Sequence, residues 1–101
     1  MKDKIIAAID RIREDLLDIS DYILENPELA FQEYKAVDCL TKQLESDGFT
    51  VEKGLGSLPT AFRATYEQGT GGPSIGLLCE YDALPGIGHA CAHHMQGACM
   101  V

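Results

Sequence analysis

Apolar residues return along the first quarter of the chain at Ile5, Ile9, Ile12, Leu16, Ile19 and Ile23. Steps of four, three, four, three and four trace one face of a long helix. Charged residues such as Asp10, Arg11, Arg13, Glu14 and Asp18 fill the other positions. Asn26-Pro27 predicts the stop, because proline disfavours helical geometry in the residue before it. The stripe covers barely three heptads, which predicts a helix packed on a domain rather than a coiled coil. Residues 27–33 read as a short connection into a second helix, with Ala36, Val37, Leu40 and Leu44 as its buried face. Gly48 ends that helix where a left-handed residue is needed. Alternation over residues 49–53 and 60–66 predicts two strands. The nearly all-apolar run 74–79 predicts a third, buried on both faces and therefore central. Residues 54–59 and the glycine-rich stretch 68–73 are turn-forming connections, and a further helix is expected from Met95.

The order helix, helix, strand, strand, strand, loop defines an α/β architecture, with helices over a mostly central sheet. Residues 80–94 then leave the C-terminal end of the most buried strand, where open α/β sheets commonly place ligand sites. A chain of 101 residues is the size of one domain. Residues 96–101 turn apolar and stop without a polar ending, which leads us to expect a truncated domain. No internal repeat or low-complexity segment interrupts it.

Eight basic against sixteen acidic residues leave a net charge of −8. This argues against a nucleic-acid or anionic-membrane surface, since both want clustered Lys and Arg. The first residues lack an uninterrupted apolar signal segment, and no stretch approaches a membrane span in length. The expected location is cytoplasmic. Cys39, Cys79, Cys91 and Cys99 are unevenly spaced, and all but Cys91 sit in apolar surroundings. They read as reduced thiols and core fillers rather than as a disulfide framework.

The chemistry is concentrated in residues 79–94. All three histidines fall between His89 and His94, interleaved with Cys91 and a few residues after Glu80 and Asp82. Imidazole, thiolate and carboxylate are the side chains that bind zinc. A lone histidine here would read as a polar group satisfied at a helix N-terminus, but this cluster points to a metal. His89, Cys91 and His93 stand at alternate positions, so more than one reaches the same ion only from a loop or strand end. Cys91 would bind as thiolate and His93 as neutral imidazole. Asp82 suits either a carboxylate that orients an imidazole ligand or an ordinary turn residue or helix cap. The thiol and imidazoles also admit a nucleophilic Cys91 with His93 or His89 as base.

The stretch from Glu80 to His93, with its Asp-Ala-Leu-Pro and His-x-Cys-x-His blocks, resembles the motif of one family of zinc metallopeptidases, that of aminoacylase, carboxypeptidase G and hippurate hydrolase. It is most similar to the branch with aminobenzoyl-glutamate and β-alanyl-dipeptide hydrolases. Asn26-Pro27-Glu28-Leu29, Glu33 and the Leu58-Pro59-Thr60-Ala61-Phe62 stretch support the resemblance and extend it over most of the chain. The resemblance implies that residues 1–101 are the N-terminal portion of a zinc-peptidase-like catalytic domain. It implies hydrolysis of an amide bond beside a free carboxylate, in N-acyl amino acids or dipeptides. It implies one or two divalent ions, zinc with manganese or cobalt as alternatives, held by Cys91 and His93. His89, His94 and Glu80 are further candidate ligands, and Asp82 falls where the family places its active-site aspartate. A homodimer is expected of the full-length enzyme.

Two positions depart from the family pattern. Ala92 stands where the family has Gly, and His94 where it has Asn or Asp. If the backbone at residue 92 needs a positive φ, alanine costs roughly a kcal/mol or more. The glutamate base, the remaining ligands and the dimerisation domain of the family lie beyond residue 101, so this chain alone is expected to be inactive. The competing readings are a small metal-binding or interaction domain without catalysis, and a cysteine hydrolase built on Cys91.

Overall fold

The structure is a computed structural model that describes every residue from Met1 to Val101. Three helices and one β-hairpin make up the regular structure: α1 (Lys2–Glu25), α2 (Tyr34–Ser46), β1 (Thr50–Lys53), β2 (Phe62–Thr65) and α3 (His93–Met100). A short 3₁₀ turn, Leu55–Ser57, lies between the strands. No helix is long and apolar enough to cross a membrane.

Helix α1 ends where the proline rule puts it. The Asn26 backbone N–H bonds to the Tyr22 and Ile23 carbonyls, and its side-chain amide returns to the Tyr22 carbonyl at 2.8 Å. Only the last two residues of the apolar stripe, Ile19 and Ile23, are buried; Ile5 and Ile9 lie about half exposed. Helix α2 buries the whole expected face (Ala36, Val37, Leu40 and Leu44) together with Thr41, whose hydroxyl donates to the Val37 carbonyl. It closes in a Schellman arrangement. Gly48 takes φ 95°, its N–H bonds to the Glu45 carbonyl, and the Phe49 N–H reaches back to the Leu44 carbonyl.

The start of α2 uses a residue distant in sequence. Helix N-termini leave backbone N–H groups without partners, and the Glu28 carboxylate accepts from Lys35 N–H at 3.0 Å and Ala36 N–H at 2.9 Å. Its negative charge also lies at the positive end of the helix dipole.

Strands β1 and β2 pair antiparallel, with Thr50 opposite Thr65 and Lys53 opposite Phe62. Glu52 and Arg63 face each other in that register and form an ion pair at 3.0 Å. The core lies between the three helices, where Ile19, Ile23, Ala36, Leu40 and Ala98 pack with Phe62, Cys79 and Tyr81 at its margin.

The chain is α/β, but its sheet has two strands, not three. Residues 74–79 form no ladder, and Ile75 and Leu78 are more than four-fifths exposed. A strand buried on both faces needs a hydrogen-bonded neighbour and a cover for each face. The short hairpin pairs only with itself, and of the run only its last residue, Cys79, packs against the core, while residues 74–78 are exposed. The expectation of a central strand, and of a loop springing from its end, is therefore corrected. Helix α3 begins at His93 rather than Met95, so His93 and His94 stand in its first turn. Of the cysteines expected as core fillers, Cys39 and Cys79 are half-buried, whereas Cys99 is exposed; all four are free thiols.

Candidate functional site

Backbone bonds to distant parts of the chain, rather than a strand, hold residues 80–83. The Glu28 carbonyl accepts the Ala83 N–H at 2.7 Å, and Leu29 forms an isolated parallel bridge with Ala83. Tyr81 stacks on Phe62 with ring centroids 5.8 Å apart, and its hydroxyl donates to the Thr60 carbonyl at 2.6 Å. On the other side Gly97 of α3 comes so near that a Cβ there would meet Tyr81 Cβ at 3.4 Å and the Glu80 carbonyl at 3.5 Å. The stretches 26–29, 58–62 and 80–83, separate in sequence, thus meet around Asp82. Glu28 does two jobs, capping α2 with its carboxylate and holding Ala83 with its carbonyl. Periodicity points to neither role; the available signal is an acid a few residues ahead of a helix start that has no capping side chain of its own.

Asp82 Oδ1 lies 2.8 Å from His93 Nδ1, and Glu80 Oε2 lies 3.1 Å from His93 Nε2. The imidazole, mostly buried, is bracketed by two carboxylates, of which Asp82 is the more sheltered. A neutral imidazole has a proton on one nitrogen and a lone pair on the other. If Nδ1–H donates to Asp82, the Nε2 lone pair faces the Glu80 carboxylate, and two acceptors at this distance need a proton or a cation between them.

The remaining candidates lie elsewhere. The Ala92 N–H bonds to the His89 carbonyl at 3.0 Å, closing a turn that leaves Cys91 exposed. Ala92 itself takes φ 63°, ψ 27°, the left-handed conformation for which alanine is poorly suited. Because a turn and a helix start replace an extended segment, alternate positions no longer share a side. His93 joins the carboxylates, and His89 packs edge-on against His94 with ring centroids 5.3 Å apart. Both nitrogens of His89 and Nδ1 of His94 are buried without a well-formed hydrogen bond. Such groups cost about 1–3 kcal/mol each when unsatisfied. Burial lowers the proton affinity of His89, and neighbouring His94 acts in the same direction. The Ile23 carbonyl, placed to accept a hydrogen bond from one His89 nitrogen, opposes them.

Cys79 donates weakly to the Gly97 carbonyl, and burial, reinforced by the Glu80 charge, pushes its pKa up to about 11. Burial raises the Tyr81 hydroxyl too. Neither group is set up to ionise near neutrality. Beside Glu80 and Asp82 opens a groove of about 270 Å³, walled by Phe31, Glu33, Leu58 and Thr60.

Whether these side chains suit a metal follows from the donors. His93 with a carboxylate on Nδ1 and a second carboxylate beside Nε2 fits a divalent ion as part of a ligand set. It is not a complete one, since no group of three or more His, Cys, Asp or Glu side chains converges on one point.

No family model matches the chain. It is 38% identical over 107 residues to one component of the p-aminobenzoyl-glutamate hydrolase of Escherichia coli (strain K12), covering 89% of this chain and 22% of that protein. It is 42% identical over 99 residues to the Xaa-Arg dipeptidase of Homo sapiens, covering 86% and 22% respectively. Thermostable carboxypeptidase 2 of Saccharolobus solfataricus is 29% identical over 114 residues, covering 92% and 29%. The chain belongs to the peptidase and amidohydrolase family of these enzymes, the one its motifs resemble. It spans less than a third of the length of each of these relatives.

Proposed function

We propose that residues 1–101 are the N-terminal portion of the catalytic domain of a metal-dependent hydrolase that cuts an amide bond in dipeptides or N-acyl amino acids. The observation that carries this reading is the Asp82–His93–Glu80 group, an imidazole held on one nitrogen by a carboxylate and faced on the other by a second. The names of the relatives support the substrate class, with one acting on p-aminobenzoyl-glutamate and another on Xaa-Arg dipeptides.

Asp82 is the positioning group. Its bond to Nδ1 fixes the tautomer and the ring plane. His93 would hold the ion through Nε2 with Glu80 as a second donor, and the Cys91 thiolate would join them only once the exposed turn that carries it moves. Zinc, manganese or cobalt bound there would polarise the scissile carbonyl and acidify water. Asp82 and Glu80 are both engaged with His93, so neither is free to take a proton from water. A general base from outside these residues is therefore required, and the 101-residue chain by itself should not turn over. The groove beside Glu80 and Asp82 offers the substrate a partly apolar wall through Phe31 and Leu58. The cysteine-hydrolase alternative is weakened because both nitrogens of His93 face carboxylates and Cys91 is exposed.

A chimaera tests this. Placing this chain in the matching segment of the Escherichia coli hydrolase should give hydrolysis of p-aminobenzoyl-glutamate that chelators abolish and zinc restores. Asp82→Asn should lower metal affinity or activity by about 10–100-fold, and His93→Ala should abolish turnover. Chelator-resistant activity that iodoacetamide destroys would instead establish Cys91 as a nucleophile.

A further inference from the structure

We propose that His89 and His94 form a second site for a divalent transition-metal ion, separate from the Asp82–His93–Glu80 group and sharing no ligand with it. Three of the four ring nitrogens in the pair are buried without a well-formed hydrogen bond, and the Ile23 carbonyl beside His89 accounts for one of them, which leaves one unpartnered nitrogen on each ring. Buried polar groups are almost always satisfied, so an unpartnered nitrogen on each of two adjoining rings calls for an occupant. Neutral imidazole is the commonest metal ligand side chain, and here two stand together.

The separation of the rings suits a shared ion. With a metal–nitrogen distance of about 2.0–2.1 Å, two imidazoles at a tetrahedral angle hold their centroids about 5 Å apart. The pair stands at 5.3 Å with its ring planes 60° apart.

That backbone is already tied. The turn from His89 to Ala92 is closed by its hydrogen bond, and α3 begins at once, with Met95 and Gln96 N–H groups on the Ala92 carbonyl. His89 thus sits at one end of a fixed turn and His94 in the first helical turn beyond it. A pair of nitrogen donors without thiolate or carboxylate favours borderline ions such as Ni²⁺, Cu²⁺ or Zn²⁺. Water, or the carboxylate of a small ligand, would complete the coordination. This assignment does not depend on the hydrolase reading, because His93, Glu80 and Cys91 take no part in it.

The test is a Ni²⁺ titration of the 101-residue chain, followed by NMR of the histidine rings and by calorimetry. Substoichiometric Ni²⁺ should broaden the ring signals of His89 and His94, in the wild type and in Cys91→Ser alike. His94→Asn should lose that bound equivalent, whereas Cys91→Ser should keep it. The proposal fails if Ni²⁺ leaves both rings sharp, as it would were ordered water satisfying the nitrogens. It fails equally if Cys91→Ser and His94→Asn lose the same single equivalent, which would mean one shared site. Because Ni²⁺ on His93 would broaden its neighbours as well, the same titration of His93→Ala should keep the broadening of His89 and His94, and its loss there would overturn the proposal.

Discussion

Helix α2 carries an apolar face and residues 74–79 form an apolar run, and the two meet opposite fates. In α2 every residue of the apolar face is buried, with Leu40 wholly enclosed. In the second stretch Ile75, Leu77 and Leu78 lie 84%, 68% and 83% exposed. The difference lies in what each element needs from elsewhere. A helix satisfies its own backbone and needs a partner on one face only, which α1, α3 and the hairpin supply. A central strand needs backbone partners at its edges and packing on both faces. Apolar sequence therefore makes burial possible, while the hydrogen-bond pattern decides whether a short chain can complete it.

The sharpest way to break this comparison is to damage the buried side. Leu40 is a central member of the core, touching the residues through which α1 and α3 meet α2. Leu40→Ala should lower stability by about 2–5 kcal/mol. That is a large share of the roughly 5–15 kcal/mol that holds a domain of this kind together. Urea unfolding followed by circular dichroism should show the midpoint collapse, and a small shift would mean that the core is looser than its burial implies.

The same contrast explains what is legible in the sequence. The face of α2, the stop at Asn26-Pro27, the Gly48 cap and both hairpin strands follow from local periodicity and local steric rules, and all can be read directly. The fate of residues 74–79 cannot, because it depends on neighbours that periodicity does not describe. At the site, the residue types are legible and their partnerships only partly so. Spacing makes Asp82 a partner for either His93 or His89, and its bond goes to His93. Pairing His89 with His94, and leaving Cys91 outside, depends on the turn at residues 89–92, which the alternate spacing conceals. The role of Glu28 is hidden because a carboxylate seven residues before a helical N–H leaves no periodic trace.

Ala92 gives a smaller effect, in the region where tertiary support is thin. A left-handed conformation costs an L-residue roughly 1–2 kcal/mol. Glycine removes that strain, but its freer unfolded chain takes back about 0.4–1 kcal/mol. Ala92→Gly should therefore stabilise the fold by about 0.5–1 kcal/mol, readable as a rise in the urea midpoint. A loss of stability would show that the turn carrying Cys91 is not left-handed at residue 92.

The smallest stability effect is expected where the comparison began, in the exposed run. Exposed positions away from packed features usually change stability by no more than about 0.5 kcal/mol when substituted. The pair Leu77→Lys and Leu78→Lys should therefore leave the unfolding midpoint at low protein concentration almost unchanged. Its effect should appear in association instead. An apolar run held open to solvent favours contact with another apolar surface, and its unpaired backbone offers a second copy an edge to bind. Sedimentation velocity over a range of concentrations should show the wild type self-associating and the doubly substituted chain remaining monomeric. A cost of about 2 kcal/mol or more in the isolated variant would mean that residues 74–79 are buried in the free chain, and the contrast with α2 would disappear.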